Sequence, residues 1–261
     1  MIAQLKTLFR YRVLIQSLVS RELKARYRGS ILGFFWSFIN PMLLMLTYGL
    51  VFTYMLPGFR SVSVEPYFLF LFCGILPWTW FASSLLESSG VLIGGGALIK
   101  KVLFPAEVLP TVTVLANFVH FLLGLPILLG FLIYEGRLGL TALLLPIPLF
   151  VQMVLTLGLA LFISSLTVHF RDIQNLLSHL LNLCFFGSPI LYAYTDMTGR
   201  MGTLLKFNPM THLMNAYQGI LFHGEIRIGD GLLGTFIVSL VALSLGAFVF
   251  DRLRDTLAEE V

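Results

Sequence analysis

"RELKARYRGSILGFFWSFINP", residues 21–41, changes character at its middle. Arg21, Lys24, Arg26 and Arg28 stand close together, and then no Asp, Glu, Lys or Arg occurs from 29 to 59. A helix crosses a bilayer's hydrocarbon with about 20 mostly apolar residues. The stretch therefore reads as a membrane segment with a cationic collar at one mouth. Further runs without Asp, Glu, Lys or Arg lie at 66–86, 108–134, 138–168, 173–195 and 231–250. Charged residues make up 11% of the 261 positions, against about 25% in a soluble domain. Six spans is the economical reading. They must be helices, because backbone groups in lipid need partners within their own segment, and the period-two alternation of a membrane barrel is absent. The expected fold is an all-α membrane protein: six transmembrane helices, an amphipathic interface helix at the N-terminus, and short re-entrant helices between spans five and six.

Orientation follows the Lys and Arg in the flanks. A cytoplasmic N-terminus places Lys6, Arg10, Arg12, Arg21, Lys24, Arg26, Arg28, Lys100, Lys101, Arg171, Arg252 and Arg254 inside, and Arg60, Arg137, Arg200, Lys206 and Arg227 outside. The excess inside predicts a multi-pass protein with both termini cytoplasmic, and the collar at 21–28 is first a topology determinant. Before it, Leu8, Leu14, Ile15, Leu18 and Leu23 fall near helical spacing with cations interleaved. That pattern predicts an amphipathic helix over 1–28 in the inner interface, or packed on a soluble partner. The charges are too spread out for a short cleavable signal. Residues 29–251 form the membrane domain and 252–261 a cytoplasmic tail.

The loops differ in length. "GGGALIKKVLFPAEVLP" follows the second span, with a short apolar-basic helix at 97–104 that Pro105 ends. Pro189 should kink the fifth span near its outer end. The segment 196–231 is too long for a simple turn. Within it Asn208 can cap a helix with Pro209 in its first position. Met210, Leu213, Met214, Tyr217 and Leu221 then share one face, with His212, Asn215 and Gln218 towards the other. A helix this short and polar suits a lid or re-entrant element; an interfacial anchor is the plainer alternative.

The motifs of catalysis are missing. Glu87 is the one acid within a span, close enough to its end to reach the interface. His120 and His179 stand singly, and Cys73 and Cys184 both fall in spans, so no metal site or disulfide is expected. "GDGLLG" at 229–234 has the spacing of a dinucleotide loop but no strand before it. No Gly-Lys dipeptide occurs, so the chain carries no P-loop of the G-x-x-x-x-G-K-[ST] type. The net charge of +4 sits beside the spans and calls for no nucleic acid. Aromatic residues are abundant in "GFFW", "PYFLFLF" and "PWTWF", which contain Phe34, Trp36, Phe68, Phe72 and Trp78. Ring faces can meet the C–H faces of a neutral sugar polymer; lipid-facing packing and interfacial belts explain them equally.

The pieces "LKARYRGSILGFFWSFINPM", "LIKKVLFPAEVLP", "FRDIQNLL", "FFGSPILY" and "FNPMTHLMNAYQGILF", in this order, together resemble the permease subunit of the ABC exporters for bacterial cell-surface polysaccharides, which move O-antigen, capsule or teichoic-acid polymers. The O-antigen type looks nearest. The resemblance implies a homodimer in the inner membrane, working with two copies of a separate ATPase subunit that binds ATP and Mg. No cofactor is then expected in this chain, and membrane lipids and a lipid-linked polysaccharide are its other partners. It gives the helix at 97–104, with Leu98, Lys100, Lys101 and Leu103, the task of coupling to the ATPase. It brings a diphosphate headgroup to Arg21, Lys24, Arg26 and Arg28. It also makes the short outer helices at about 196–225 a gate, with Pro189, Asn208, Pro209, Met214 and Tyr217. A drug or small-molecule exporter on the same architecture is the rival reading, and a membrane glycosyltransferase or assembly factor a more distant one.

Overall fold

The computed structural model describes residues 10–26, 28–55, 64–95, 105–196 and 199–260. The described residues are mainly helical, with no strand among them. In chain order the helices are α1 (Arg12–Arg26), α2 (Trp36–Leu50), α3 (Tyr67–Gly94), α4 (Val108–Tyr134), α5 (Pro146–His169), α6 (Ile173–Phe186), α7 (Gly199–Leu205), α8 (Pro209–Gln218) and α9 (Asp230–Glu260).

Among the described residues, four segments are long and apolar enough to cross a membrane: Tyr67–Gly94, Val108–Tyr134, Leu140–His169 and Asp230–Leu253. The first and last uncharged runs that lack such a helix differ from expectation in instructive ways. α2 has 15 residues, about 22 Å at helical rise, and continues as a π turn over Val51–Met55. α6 stops at Phe186 rather than running to 195 with a kink at Pro189. Ser188 is disfavoured in the helical conformation because proline follows it. The helix closes at Gly187, whose N–H donates to the Leu183 carbonyl at 2.8 Å, and Ser188 Oγ donates to the Cys184 carbonyl at 2.7 Å.

α3 is the centre of the fold. It packs against α2, α4, α5, α6 and α8, and Leu69, Phe70, Leu71, Phe72 and Cys73 are all buried. Lower down, the Trp80 ring packs against both Phe118 and Phe121 of α4, at 4.9 and 5.4 Å between centroids. Such a continuous apolar surround is expected of a helix buried all round. The longest helix–helix seam joins α5 and α9. A methyl group at Gly158 would overlap the backbone of Ala242 and Leu243, and one at Gly246 would overlap the Gly158 carbonyl. Small residues at a crossing let two backbones approach. The other side of α9 exposes Leu233, Ile237, Val241, Leu245 and Phe248, a surface suited to lipid.

α1 lies on the start of α4. Ile15 and Leu18 are its two buried residues and touch Val108 and Val112. Gly29, at φ +80°, takes the left-handed conformation that reverses the chain after α1. Ser30 then accepts from the Trp36 indole N–H at 3.0 Å, which fixes the approach into α2.

Candidate functional site

The cationic collar is divided by its partners. Arg26, in the last turn of α1, forms an ion pair with Glu87 of α3 and donates to Asn117 Oδ1 of α4 at 3.1 Å. Asn117 Nδ2 donates to the same Glu87 oxygen at 2.7 Å and to the Thr113 carbonyl at 3.1 Å. Glu22 adds a looser contact at 3.7 Å to the Arg26 guanidinium. Three helices are thus tied by one arginine. Arg21, Lys24 and Arg28 are exposed. The four cations expected to act alike therefore form one held group and three open ones. Glu87 is part of this link rather than a side chain reaching for the interface alone. The signal was present in the sequence: Glu87 and Asn117 each lie about two helical turns from the connection between α3 and α4, so antiparallel packing brings them to one depth.

Above this link, a cavity of about 710 Å³ opens between α2, α3 and α4. Arg26, Asn117 and His120 lie on one side of its lining, Ser37, Asn40 and Thr47 of α2 on another, and Thr79 and Ser83 come from α3. Trp36, Trp80 and Phe121 supply rings. His120 Nδ1 lies 3.4 Å from Ser37 Oγ, which bridges α4 to α2.

A second cavity, of about 450 Å³, lies between α2, α3 and α6. Leu44, Thr79 and Ser83 line both cavities. Here Tyr48, Trp78, Phe185 and Phe186 surround the space, with Ser178 and Asn182 among them. The Phe185 ring is 5.8 Å from Tyr48, 5.7 Å from Trp78 and 5.3 Å from Phe186. α6 has three sectors at helical spacing. Leu177, Leu181 and Phe185 are buried; Leu176, Leu180 and Leu183 are exposed and apolar; Asn175, His179 and Asn182 are exposed and polar. The polar sector adjoins the second cavity through Asn182.

The aromatic residues singled out in the sequence separate. Trp36 reaches the first cavity and Trp78 the second. Phe68 is partly buried and packs edge-on against Phe131 at 6.4 Å. Phe72 is fully buried in the core, away from both cavities. The Phe34 side chain lies outside the described residues, as do Leu98, Lys100, Lys101 and Leu103. Tyr48, Phe185 and Phe186 were not distinguished by sequence from the many other rings. Among the described residues, no group of three or more His, Cys, Asp or Glu could hold a metal ion.

At the opposite end, α8 starts at Pro209 with Asn208 as its cap, accepting from the Met210 N–H at 3.0 Å. Asn208 Nδ2 donates back to the Gly187 carbonyl at 2.8 Å and to Ser188 Oγ at 3.1 Å. Gln218, at the far end of α8, donates to the Pro189 carbonyl at 2.8 Å. Gln218 is therefore buried against the turn after α6, not on the helix's polar side as its spacing suggested. His212 and Asn215 do lie on that side, 2.9 Å from the Lys206 carbonyl and 3.2 Å from the Arg227 guanidinium. Arg227 also hydrogen-bonds Glu225, and this contact and its charge hold the Glu225 carboxyl below its usual range. Leu213, Met214 and Tyr217 are fully buried, and the Tyr217 hydroxyl has no hydrogen-bond partner.

Residues 13–222 match the ABC-2 type transporter family, and the chain belongs to it. It is 38% identical to the O-antigen export system permease protein RfbA of Myxococcus xanthus over 264 aligned residues, all of both chains. A protein of the same name from Klebsiella pneumoniae is 29% identical, and the polysialic acid transport protein KpsM of Escherichia coli 24% identical, each over 94% of both chains. The named relatives are transport proteins rather than enzymes, and membership of the family implies a separate ATP-binding subunit.

Proposed function

We propose that this chain is the membrane subunit of an ATP-driven exporter that moves a lipid-linked polysaccharide of O-antigen type across the bacterial inner membrane. Two copies form the path, and each works with an ATP-binding subunit that holds ATP and Mg. The full-length similarity to O-antigen export permeases supports the cargo. The observation that carries the mechanism is the polar sector of α6. Asn175, His179 and Asn182 are exposed on a largely apolar helix, and polar groups at membrane depth face protein or water rather than lipid. A second copy opposite this sector would enclose it with the aromatic cavity of each protomer. Trp78, Tyr48, Phe185 and Phe186 could then stack on sugar rings while Ser178 and Asn182 exchange hydrogen bonds with hydroxyls. Such contacts are numerous and individually weak, as a sliding polymer requires.

The remaining parts follow. α2 and α6, each extended by its neighbouring turn, serve as the first and fifth of six spans, with both termini in the cytoplasm. Arg21, Lys24 and Arg28 draw the diphosphate end of the lipid carrier to the inner surface. The segment 97–104 docks the ATP-binding subunit through Leu98, Lys100, Lys101 and Leu103. α8, tied to the turn at Pro189, closes the outer end.

Deleting the gene and restoring it on a plasmid tests the cargo. Loss of surface polysaccharide with lipid-linked polymer held inside, reversed by the plasmid, is the expected result. Unchanged surface polysaccharide with altered sensitivity to small toxic compounds would favour the drug-exporter reading instead.

A further inference from the structure

A π turn, Gly219–His223, continues α8, and the connection from α4 to α5 grips it twice. Thr141 Oγ1 donates to the Ile220 carbonyl at 2.8 Å. The Arg137 guanidinium lies over the Phe222 ring, 4.4 Å from its centroid, and also donates to the Glu65 carbonyl ahead of α3. Arg227 lies along Gly219, where a Cβ would come within 2.8 Å of its side chain, and is fixed by Glu225 and Asn215. The turn ends at Gly224, in the left-handed conformation at φ +68°. His223 is half-buried within these ties. Its imidazole stands edge-on to two rings, 5.1 Å from Phe222 and 6.3 Å from Phe70. The charged groups that act on it are Arg227 and Glu225 beyond Gly224 and Arg137 from the connection of α4 to α5. α3 turns Phe70 towards it, while the Tyr67 hydroxyl donates to the Leu191 carbonyl.

We infer that the turn Gly219–His223 is a proton-sensitive latch of the outer closure: Arg137 and Thr141 hold it in place while the His223 imidazole is neutral, and protonation of His223 releases it. A charged imidazole would share a half-buried space with two guanidiniums, and Glu225, the carboxylate nearest to it, is already bound to Arg227. Burial, then Arg227 and Arg137, push the imidazole below its ordinary value, against the opposing pull of Glu225. Once the turn moves out into water, the imidazole regains its ordinary value of about 6.5. The released state then takes up a proton that the held state does not. The held state is therefore undisturbed above about pH 6.5 and weakens as pH falls below it. Because α8 runs directly into this turn, loosening the turn frees the C-terminal end of α8. The inference rests on the outer closure by α8 proposed above and names the condition that loosens it.

Ion conductance of the complex with its ATP-binding subunit, reconstituted in a planar bilayer, reads the latch. ATP is supplied to one compartment, which defines the inner side. Acidifying the outer compartment from about pH 7.5 to about pH 5.5 spans the ordinary histidine range. It should raise conductance by up to about tenfold, the limit for one proton taken up one pH unit below its ordinary value. Acidifying the inner compartment alone should not. His223→Gln should flatten the response to outer acid, while His212→Gln should keep it. Arg137→Gln should raise conductance already at neutral pH and shrink the acid response, because a tie and a repelling cation are lost together. If Arg137 serves only to hold the turn, conductance rises at every pH by the same factor, and that result overturns the latch. So does a wild-type complex indifferent to outer pH, or a response that survives His223→Gln. Should His223→Gln fail to assemble, the two-sided wild-type recording and Arg137→Gln still decide. Conductance that ignores outer pH, in a complex whose gene restores surface polysaccharide, removes the latch and leaves the export reading standing. The expected variant pattern, in a strain whose surface polysaccharide ignores the gene, does the reverse.

Discussion

Gln218 Nε2 donates to the Pro189 carbonyl at 2.8 Å, across 29 positions of sequence. The bond joins the C-terminal end of α8 to the turn that ends α6, while Asn208 joins the N-terminal end of α8 to the same turn through Gly187 and Ser188. A short helix held at both ends by the end of a neighbouring helix moves when that helix moves. If α6 shifts to admit a polymer, α8 shifts with it.

Gln218→Leu should therefore loosen the outer closure. It leaves the buried Pro189 carbonyl without this donor, at a cost of about 1–3 kcal/mol. Planar-bilayer recordings of the reconstituted complex should show raised ion conductance. Conductance equal to wild type, in a complex that still assembles, would separate this bond from closure.

Tyr217 separates volume from polarity. Its hydroxyl is buried without a hydrogen-bond partner, so Tyr217→Phe should leave stability and export near wild type. Tyr217→Ala removes a fully buried ring and should cost about 3–5 kcal/mol, with a leak or reduced export. Met214→Ala should act in the same direction. Thermal unfolding in detergent and conductance in bilayers distinguish the pair; a Tyr217→Phe variant as impaired as Tyr217→Ala would show that the hydroxyl has a partner in the working state.

The crossing of α5 and α9 has no room for side chains at its closest point. Gly158→Val should force the helices apart, and overpacking of this kind costs about 1–3 kcal/mol or more. The expected readout is a lower unfolding temperature and a smaller yield of assembled complex. Gly234, with open space where its Cβ would be, should accept alanine without such loss.

Replacing Arg21 and Arg28 with Gln tests the open cations apart from the held one. The inner flanks would still carry more Lys and Arg than the outer ones, so orientation should hold while export falls. Normal export with the same orientation would leave these cations as topology signals only.

Much of the fold is legible in the sequence because uncharged runs are long where α3, α4, α5 and α9 cross, and because Asn208-Pro209 marks the start of α8 by local chemistry alone. The end of α6 is less legible, since hydropathy stays high through Ile190 and Leu191 while Ser188-Pro189 has already stopped the helix. The Arg26–Glu87–Asn117 link depends on three helices meeting, and no periodicity within one helix reports it. The two cavities share that limit. Phe72 and Trp78 look alike in an aromatic-rich run, yet their positions around α3 send one into the core and the other to a cavity wall. The burial of Gln218 follows from its reach to Pro189, which its place on a helical wheel could not indicate.

The central claim is that the polar sector of α6 faces a water-filled path between two copies of the chain. Cys73 and Cys184 are both free thiols, so single cysteines are introduced in a variant with both replaced by Ala. Positions 175, 179 and 182 on one sector and 176, 180 and 183 on the other are then exposed, in the assembled complex in native membranes, to a membrane-impermeant thiol reagent. The account predicts rapid labelling at 175, 179 and 182 while the complex is turning over ATP, and little labelling at 176, 180 and 183. Equal labelling of the two sectors, or labelling confined to 176, 180 and 183, would contradict it.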